Sequence, residues 1–234
     1  IGISKSNIEY FNKNIINIEK FLWNINKIEI YSENLKKEKI LDFENNKTRL
    51  FSIIKNSDLN NCLLTKLKKS KLIKFKKEIK NFETIEKKYQ LIIDCDLNNK
   101  ITKKIFYKKF EKKYFSYAHA TIIQHKEIIN NTAIQIFTKK GPIAFLPISK
   151  KNTSIVYSVK GDKNIRLRDM INKYNLKYKI IKMNKPDCFE LKSMSMRSYY
   201  HKNILAFGDL LHKLHPLAGQ GFNMSIRDIN ELSK

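Results

Sequence analysis

One stretch near the end of this sequence, residues 207–228 (FGDLLHKLHPLAGQGFNMSIRD), restricts the possible folds more than any other. It holds three of the 6 glycines and one of the 4 prolines of the 234-residue chain. Glycine is favoured where the backbone adopts positive φ or approaches another group closely. Gly219 and Gly221 come just before a helix-like run, so a helix is expected to start near residues 220–222. The first N–H groups of such a helix lack intrahelical partners and favour an anionic ligand.

The residues before this helix predict the end of a sheet strand. A short apolar strand expected at residues 204–207 leads directly into Gly208 and Asp209. Open α/β sheets bind ligands at the carboxyl ends of their strands, which is where this order places the Asp209 carboxylate. A carboxylate there can accept hydrogen bonds from adjacent hydroxyls of a sugar-like chain. One edge of a ligand site is therefore predicted from the order of these features, which is a strand, the Gly-Asp pair, a loop, the Gly-x-Gly sequence and a helix.

Apolar spacing predicts the remaining helices and strands. The region of residues 115–196 alternates apolar and polar positions between short polar connections, which indicates an antiparallel meander. Residues 89–95 form a continuous apolar run, typical of a strand buried in a parallel sheet. The other expected elements are helices within residues 4–21, 58–67 and 165–174, a hairpin over 27–43, an extended segment over 71–82, and strands at 133–138, 143–148, 154–159, 177–183 and 189–196.

The charge of the chain raises a nucleic-acid hypothesis that the composition opposes. The chain has 47 basic and 22 acidic residues, for a formal net charge of +25. Only five of the basic residues are Arg, the type preferred for bidentate phosphate and base contacts, so no nucleic-acid partner is predicted. Lysines on solvated faces and attraction to an anionic membrane surface are the two explanations left open.

Cysteine usage and hydropathy bear on the compartment. The three cysteines, Cys62, Cys95 and Cys188, form no C-x-x-C pair, which predicts structural thiols in a reducing compartment. No apolar run is long enough for a transmembrane helix, and the first residues do not resemble a signal peptide. We expect a cytoplasmic protein, with peripheral association at the inner face of the membrane as an additional hypothesis. His212 and His215 lack a third ligand nearby, so no metal site is predicted.

Residues 208–228 resemble the second flavin-binding motif of the FAD-dependent aromatic-ring hydroxylases. The likeness is closest to the ubiquinone-biosynthesis (polyprenylphenol hydroxylase) branch, whose pattern is GDAAHxxHPxAGQGxNxGxxD. Residues 133–147 (AIQIFTKKGPIAFLP) are similar to the A-x-x-x-F-T-x-x-G-P-x-A-x-L-P segment of that family. Residues 92–104 stand where the family has its ADGxxSxxR motif.

The resemblance implies a mixed α/β fold, in which an FAD-binding Rossmann-like domain is intertwined with an antiparallel β-sheet substrate domain. It assigns residues 1–24, 46–104 and 202–234 to the FAD-binding domain. Residues 25–45 and 105–201 then form the substrate domain. Because the sequence contains no G-x-G-x-x-G unit and does not begin with Met, we expect an incomplete FAD-binding domain in an internal fragment or truncated product.

The resemblance also implies a reaction and a set of cofactor-binding residues. The cofactor would be FAD with NAD(P)H as reductant, and O2 would be used to hydroxylate the aromatic ring of a polyprenylated ubiquinone precursor. Association with a membrane surface or a biosynthetic complex is a further expectation. Asp209 would bind the ribityl chain, Pro216 would lie beside the isoalloxazine ring, and residues 219–223 would line its pyrimidine end. No catalytic side chain is assigned, and the implied cofactor-binding residues are Gly208, Asp209, Pro216, Ala218, Gly219, Gln220, Gly221, Phe222, Asn223 and Asp96.

One segment departs from the family pattern. Asp96 is retained, but Leu97 stands in place of Gly and Lys100 in place of Ser. Leucine is unfavourable where the backbone needs positive φ. This departure leaves a second hypothesis open: a degenerate, non-catalytic flavoprotein remnant that acts as a membrane-surface or complex-binding module.

Overall fold

The computed structural model describes residues 1–33, 38–45, 48–76, 82–161, 163–214 and 219–234. Contacts divide the chain into two compact units. Unit 1 comprises Ile1–Leu59 and Tyr114–Leu191, and unit 2 comprises Asn60–Lys113 and Lys192–Lys234. The expected division into FAD-binding and substrate-binding segments uses other boundaries and stays a prediction.

The predicted mixture of helices and strands is confirmed. Helices α1 to α6 are Lys5–Tyr10, Asn56–Lys69, Phe82–Lys88, Lys100–Ile105, Leu167–Tyr174 and Gln220–Leu232. Strands β1 to β15 are Gly2–Ser4, Leu22–Ile25, Lys27–Ser32, Lys39–Glu44, Phe51–Ile54, Ile92–Asp94, Lys109–His125, Thr132–Thr138, Gly141–Pro147, Asn152–Lys160, Ile180–Met183, Asp187–Met196, Tyr200–His201, Ile204–Ala206 and His212–Lys213.

The first helix is shorter than its apolar spacing predicts. It starts after Ser4, the N-cap residue, whose hydroxyl oxygen accepts from the Asn7 backbone N–H, and it ends at Tyr10. A single π-helical turn, Phe11–Ile15, follows it. The Asn12 side-chain oxygen then accepts from the Ile18 backbone N–H at 2.9 Å. Asparagine side chains compete with the helical backbone in this way, which explains why the helix does not continue.

Unit 1 is built on an antiparallel meander, as predicted. Its main sheet has the order β4-β3-β8-β9-β10-β7, with β11 also on β7. The β3–β8 pair is parallel, while the β3–β4 hairpin and the β8–β9–β10–β7 run are antiparallel. The strands β1, β5 and β2 form a separate three-stranded sheet. Helix α5 buries Leu167, Ile171 and Tyr174 in the same apolar cluster as sheet residues that include Phe145 and Tyr157.

The carboxylate of Glu33, which directly follows β3, accepts hydrogen bonds from two other parts of unit 1. The Glu33 Oε1 atom accepts from the Lys173 ammonium and from the Tyr174 hydroxyl, each at 2.8 Å. Its Oε2 atom accepts from the Lys139 backbone N–H at 3.0 Å. The hydrogen bond from Lys173, followed by those from Lys139 and Tyr174, lowers the pKa of Glu33 from 4.5 to about 2. The ionised carboxylate is therefore favoured in the folded state.

We expect Glu33→Gln to destabilise the protein slightly at neutral pH, and to have no effect near pH 2. A depressed folded-state pKa contributes stability that is present above the unfolded value of 4.5 and is lost as the pH falls towards 2. The effect is small because this group is close to solvent and screened. Urea unfolding of both proteins across this pH range checks the prediction, and a gap that stays constant with pH would contradict it.

Unit 2 contains a small sheet whose centre is β14. This strand pairs in parallel with β6 and antiparallel with β13. The parallel pairing predicted for residues 89–95 is thus confirmed, although β6 covers only Ile92–Asp94. The predicted burial of this strand is wrong, because Leu91 and Ile93 are 53% and 46% exposed. Met194 and Met196, on β12, are buried with Ile204, Ala206 and other apolar residues of unit 2, so they belong to the core. Within the described ranges, no helix is long and apolar enough to cross a bilayer.

Candidate functional site

The carboxyl ends of two parallel strands meet in unit 2. Asp94 is the last residue of β6, and it lies in register with Ala206, the last residue of β14. The backbone N–H of Phe207 donates to the Asp94 carbonyl oxygen at 2.8 Å, which extends the pairing one residue further. The Gly-Asp pair that follows is therefore placed at the carboxyl edge of a parallel strand pair, the usual ligand-binding edge of such sheets.

Gly208 turns the chain so that Asp209 faces solvent. Gly208 has φ = 61°, a conformation that favours glycine, and a Cβ there would meet no described atom within 4 Å. It opens a short 3-10 turn, Gly208–Leu210, closed by the Leu211 N–H donating to the Gly208 carbonyl oxygen at 3.0 Å. Leu210 is fully buried and anchors the turn. The neighbouring Asp209 side chain is exposed and can accept hydrogen bonds from a ligand.

The predicted helix after the Gly-x-Gly sequence is confirmed as α6. Gly219 is the N-cap residue of α6, and its backbone lies in the left-handed region with φ = 66°. The Asn223 side-chain amide donates to the Gly219 carbonyl oxygen at 3.0 Å, which fixes this turn. A Cβ at Gly221 would meet no described atom within 4 Å. The start of α6 thus combines a positive dipole end with a glycine whose Cβ position is approached by none of the described residues within 4 Å.

Part of the predicted site lies outside the described residues. Pro216 and Ala218 are among residues 215–218, which the structure does not describe, so their roles stay predictions. The backbone of His212 belongs to β15, where it pairs with Ser195.

Two aspartates near the end of β6 have different environments. Asp96, the expected cofactor-binding residue, is exposed, and its Oδ1 atom accepts from the Asn98 N–H at 2.9 Å. Asp94 is only 5% exposed. Its Oδ1 atom accepts from the Asn99 side-chain amide at 2.7 Å and from the Asp96 N–H at 3.1 Å. The Thr102 hydroxyl lies 2.8 Å from its Oδ2 atom. Asp94 therefore organises the loop that follows β6.

This aspartate network continues into helix α4. Asn99 is the N-cap residue, and its Oδ1 atom accepts from the Thr102 backbone N–H at 2.7 Å. Asn99 therefore joins the cap of α4 to the buried Asp94 carboxylate. The sequence alone does not single out Asp94, Asn99 or Thr102. The feature of the sequence that indicates such a role is an aspartate at the end of an apolar strand, followed by an asparagine at the start of a helix.

The departure at Leu97 carries no backbone strain. The non-glycine residues with positive φ in the described part of the chain are Phe115 and Lys202. Leu97 is half-buried and packs against the apolar cluster of unit 2. The Leu97 backbone therefore does not adopt positive φ, and the loop turns through the side-chain bonds of Asp94 and Asn99.

The sequence is similar to known proteins over part of its length. Residues 162–234 match a family model described as FAD binding domain. The 3-demethoxyubiquinol 3-hydroxylase of Escherichia coli is 32% identical over 111 residues, which are 42% of this chain and 27% of that protein. The mitochondrial ubiquinone biosynthesis monooxygenase of Homo sapiens is 27% identical over 157 residues, 49% of this chain and 34% of that protein. The chain thus spans about a third or less of these relatives.

Solved structures resemble the chain over nearly all of its length. PqsL from Pseudomonas aeruginosa, described as a probable FAD-dependent monooxygenase, has a TM-score of 0.74 at 13% identity, covering 99% of this chain and 74% of that chain. HpxO from Klebsiella pneumoniae, complexed with FAD, has a TM-score of 0.71 at 10% identity, covering 97% and 69%. The chain therefore has the fold of FAD-dependent monooxygenases, and its C-terminal residues match an FAD binding domain.

Proposed function

We propose that this chain carries the isoalloxazine end of the FAD site in an aromatic-ring monooxygenase. The reductant would be NAD(P)H, the oxidant O2, and the substrate the aromatic ring of a polyprenylated ubiquinone precursor. The observation that carries the proposal is the placement of Gly208 and Asp209 at the carboxyl edge of β14, combined with an α6 start made of Gly219 and Gly221. The matches to two enzymes named for ubiquinone metabolism support the substrate class.

The residues present fit one end of FAD. The exposed Asp209 carboxylate would accept hydrogen bonds from ribityl hydroxyls. The start of α6, residues 219–223, would line the pyrimidine end of the ring, where the positive end of the helix dipole favours negative charge. Pro216 would lie beside the ring, Ala218 would belong to the same cofactor-binding segment, and Asp96 would contribute from the loop after β6. Bound FAD would supply the electron transfer and oxygen activation, while the chain orients it.

The reaction is tested with the full-length protein, FAD and NAD(P)H under air. With a phenol that carries a polyprenyl tail, we expect reductant consumption and a product with one added oxygen atom, detected by mass spectrometry. The same phenol without its tail is the matched substrate control and should react more slowly. Reductant oxidation without any oxygenated product would contradict the monooxygenase assignment.

Gly221→Ala separates folding from cofactor binding. Gly221 is in the first turn of α6 and a Cβ would meet no described atom, so alanine should maintain stability or raise it by about 0.5 kcal/mol. The added methyl group would occupy the space left for the flavin, and we expect FAD affinity to fall by about tenfold or more. Thermal unfolding and FAD titration of the same variant check both parts. Unchanged FAD affinity would contradict a flavin seated on this helix start.

A further inference from the structure

The segment of residues 67–76 joins exposed apolar side chains to a row of lysines. It begins in the last turn of α2 and continues past the helix end at Lys69. Leu72 is 95% exposed and Phe75 is 58% exposed, with Leu67 and Ile73 at 38% and 39%. The lysines interleaved with them are also exposed: Lys68, Lys69, Lys71, Lys74 and Lys76.

The charge of this segment is of one sign. Residues 59–76 (LNNCLLTKLKKSKLIKFK) contain no Asp, Glu or Arg. Lysine is a compact, strongly hydrated charge on a flexible apolar stem, so it can hold its ammonium group in water while the stem lies along an apolar layer. Arginine, the type enriched at protein–protein hot spots and in base recognition, is missing from the segment. This composition favours an anionic lipid surface over a protein or nucleic-acid partner.

The backbone after α2 is held in place by local hydrogen bonds. The Ser70 N–H donates to the Leu67 carbonyl oxygen at 3.1 Å, and the Leu72 N–H donates to the Ser70 hydroxyl oxygen at 3.3 Å. Leu72 is therefore presented to solvent by an ordered turn. A preorganised turn loses less conformational freedom when it binds.

We propose that residues 67–76 are a docking surface for anionic membranes. Leu72, Ile73 and Phe75 enter the boundary between headgroups and acyl chains, and the lysines contact the anionic headgroups. The inference rests on the proposed function in one respect: a polyprenylated substrate resides in the bilayer, and this surface brings the enzyme to it. Binding to lipid itself requires no flavin, so the two proposals can fail separately.

Vesicle binding of the full chain tests the inference. We expect the chain to sediment with vesicles of phosphatidylcholine and phosphatidylglycerol. Its affinity for vesicles of phosphatidylcholine alone should be at least tenfold lower, because the attraction between several lysines and anionic headgroups is then lost. High salt should weaken the binding. Leu72→Ser combined with Phe75→Ser should weaken it by about tenfold or more. Ile129→Ser, which removes an apolar side chain that is 87% exposed in unit 1, is the matched control and should leave it unchanged.

A conservative variant reports insertion directly. Phe75→Trp should bind vesicles with the same affinity as the native chain. The emission of the added tryptophan should shift to the blue when phosphatidylglycerol is present in the vesicles. Trp23 is the only native tryptophan and serves as the background. Three results would overturn the inference: no binding to the anionic vesicles, equal loss of binding in Ile129→Ser, or no blue shift in Phe75→Trp. A fourth result concerns duplex DNA. If DNA displaces the vesicles and binds the Leu72→Ser, Phe75→Ser variant with the affinity of the native chain, the lysines bind polyanions in general, and the inference is overturned.

Discussion

Asp209→Ala is expected to reduce FAD affinity by about 100-fold. Two charge-assisted hydrogen bonds to ribityl hydroxyls contribute about 1.5 kcal/mol each or slightly less, and alanine removes both. The Asp209 side chain is exposed, so its removal should change the free energy of unfolding by no more than about 0.5 kcal/mol. FAD titration followed by quenching of flavin fluorescence measures the first quantity, and urea unfolding without FAD measures the second.

Two variants make the Asp209 result specific. Asp209→Asn keeps an oxygen acceptor without the charge, and it should bind FAD with intermediate affinity. Asp187→Ala removes another exposed aspartate, at the start of β12, and should leave affinity unchanged. If Asp187→Ala weakened FAD binding as much as Asp209→Ala, the effect would be one of net charge, and a direct contact at Asp209 would be contradicted.

Asp94→Ala is expected to destabilise unit 2 by about 3 kcal/mol. The Asp94 carboxylate is 5% exposed and accepts from the Asn99 amide and from the Asp96 N–H. Alanine would leave these two donors without their acceptor, at a cost of about 1–3 kcal/mol for each unsatisfied group, while the Thr102 hydroxyl would keep the Asp96 carbonyl oxygen as its acceptor. Because Asn99 also caps α4, the loss should extend to that helix. Urea unfolding followed by circular dichroism measures the change.

Asp94→Asn should recover more than half of that loss. Its oxygen can accept from the Asn99 amide, and its amide can donate to the Thr102 hydroxyl oxygen, which in turn lies 2.6 Å from the Asp96 carbonyl oxygen. Asp96→Ala is the matched control, since that side chain is exposed and should change stability by less than about 0.5 kcal/mol. Equal destabilisation by Asp94→Ala and Asp96→Ala would contradict the distinction between the two aspartates.

The elements that sequence analysis located well are those with a strong local signal. The strand before Gly208 and the helix after Gly219 follow from an apolar run and from glycine placement, both properties of neighbouring residues. The meander of unit 1 is equally local, because short polar turns separate alternating strands. In these segments, propensity and tertiary packing favour the same structure.

What sequence analysis missed depends on distant contacts or on competing side chains. Nothing in residues 92–104 shows that β6 will lie beside β14, and only that pairing makes Asp94 a buried acceptor. The helical run that begins with α1 does not extend past Ile15, and beyond it the Ile18 N–H donates to the Asn12 side chain in place of a helical carbonyl oxygen. The family pattern has a glycine where Leu97 stands, whereas the loop here is formed by side-chain hydrogen bonds of Asp94 and Asn99 that a short motif does not encode.

The most direct test of the central claim is the location of FAD on the chain. In amide NMR spectra of the 15N-labelled full-length protein, the aromatic ring current of the flavin shifts nearby backbone N–H signals. We predict the largest shifts on FAD addition at Asp209 and at residues 219–223. Signals from the unit 1 meander, such as that of Ile155, should move little. If FAD binds but the signals of residues 208–223 do not shift while signals elsewhere do, the assignment of this segment as the flavin site is contradicted.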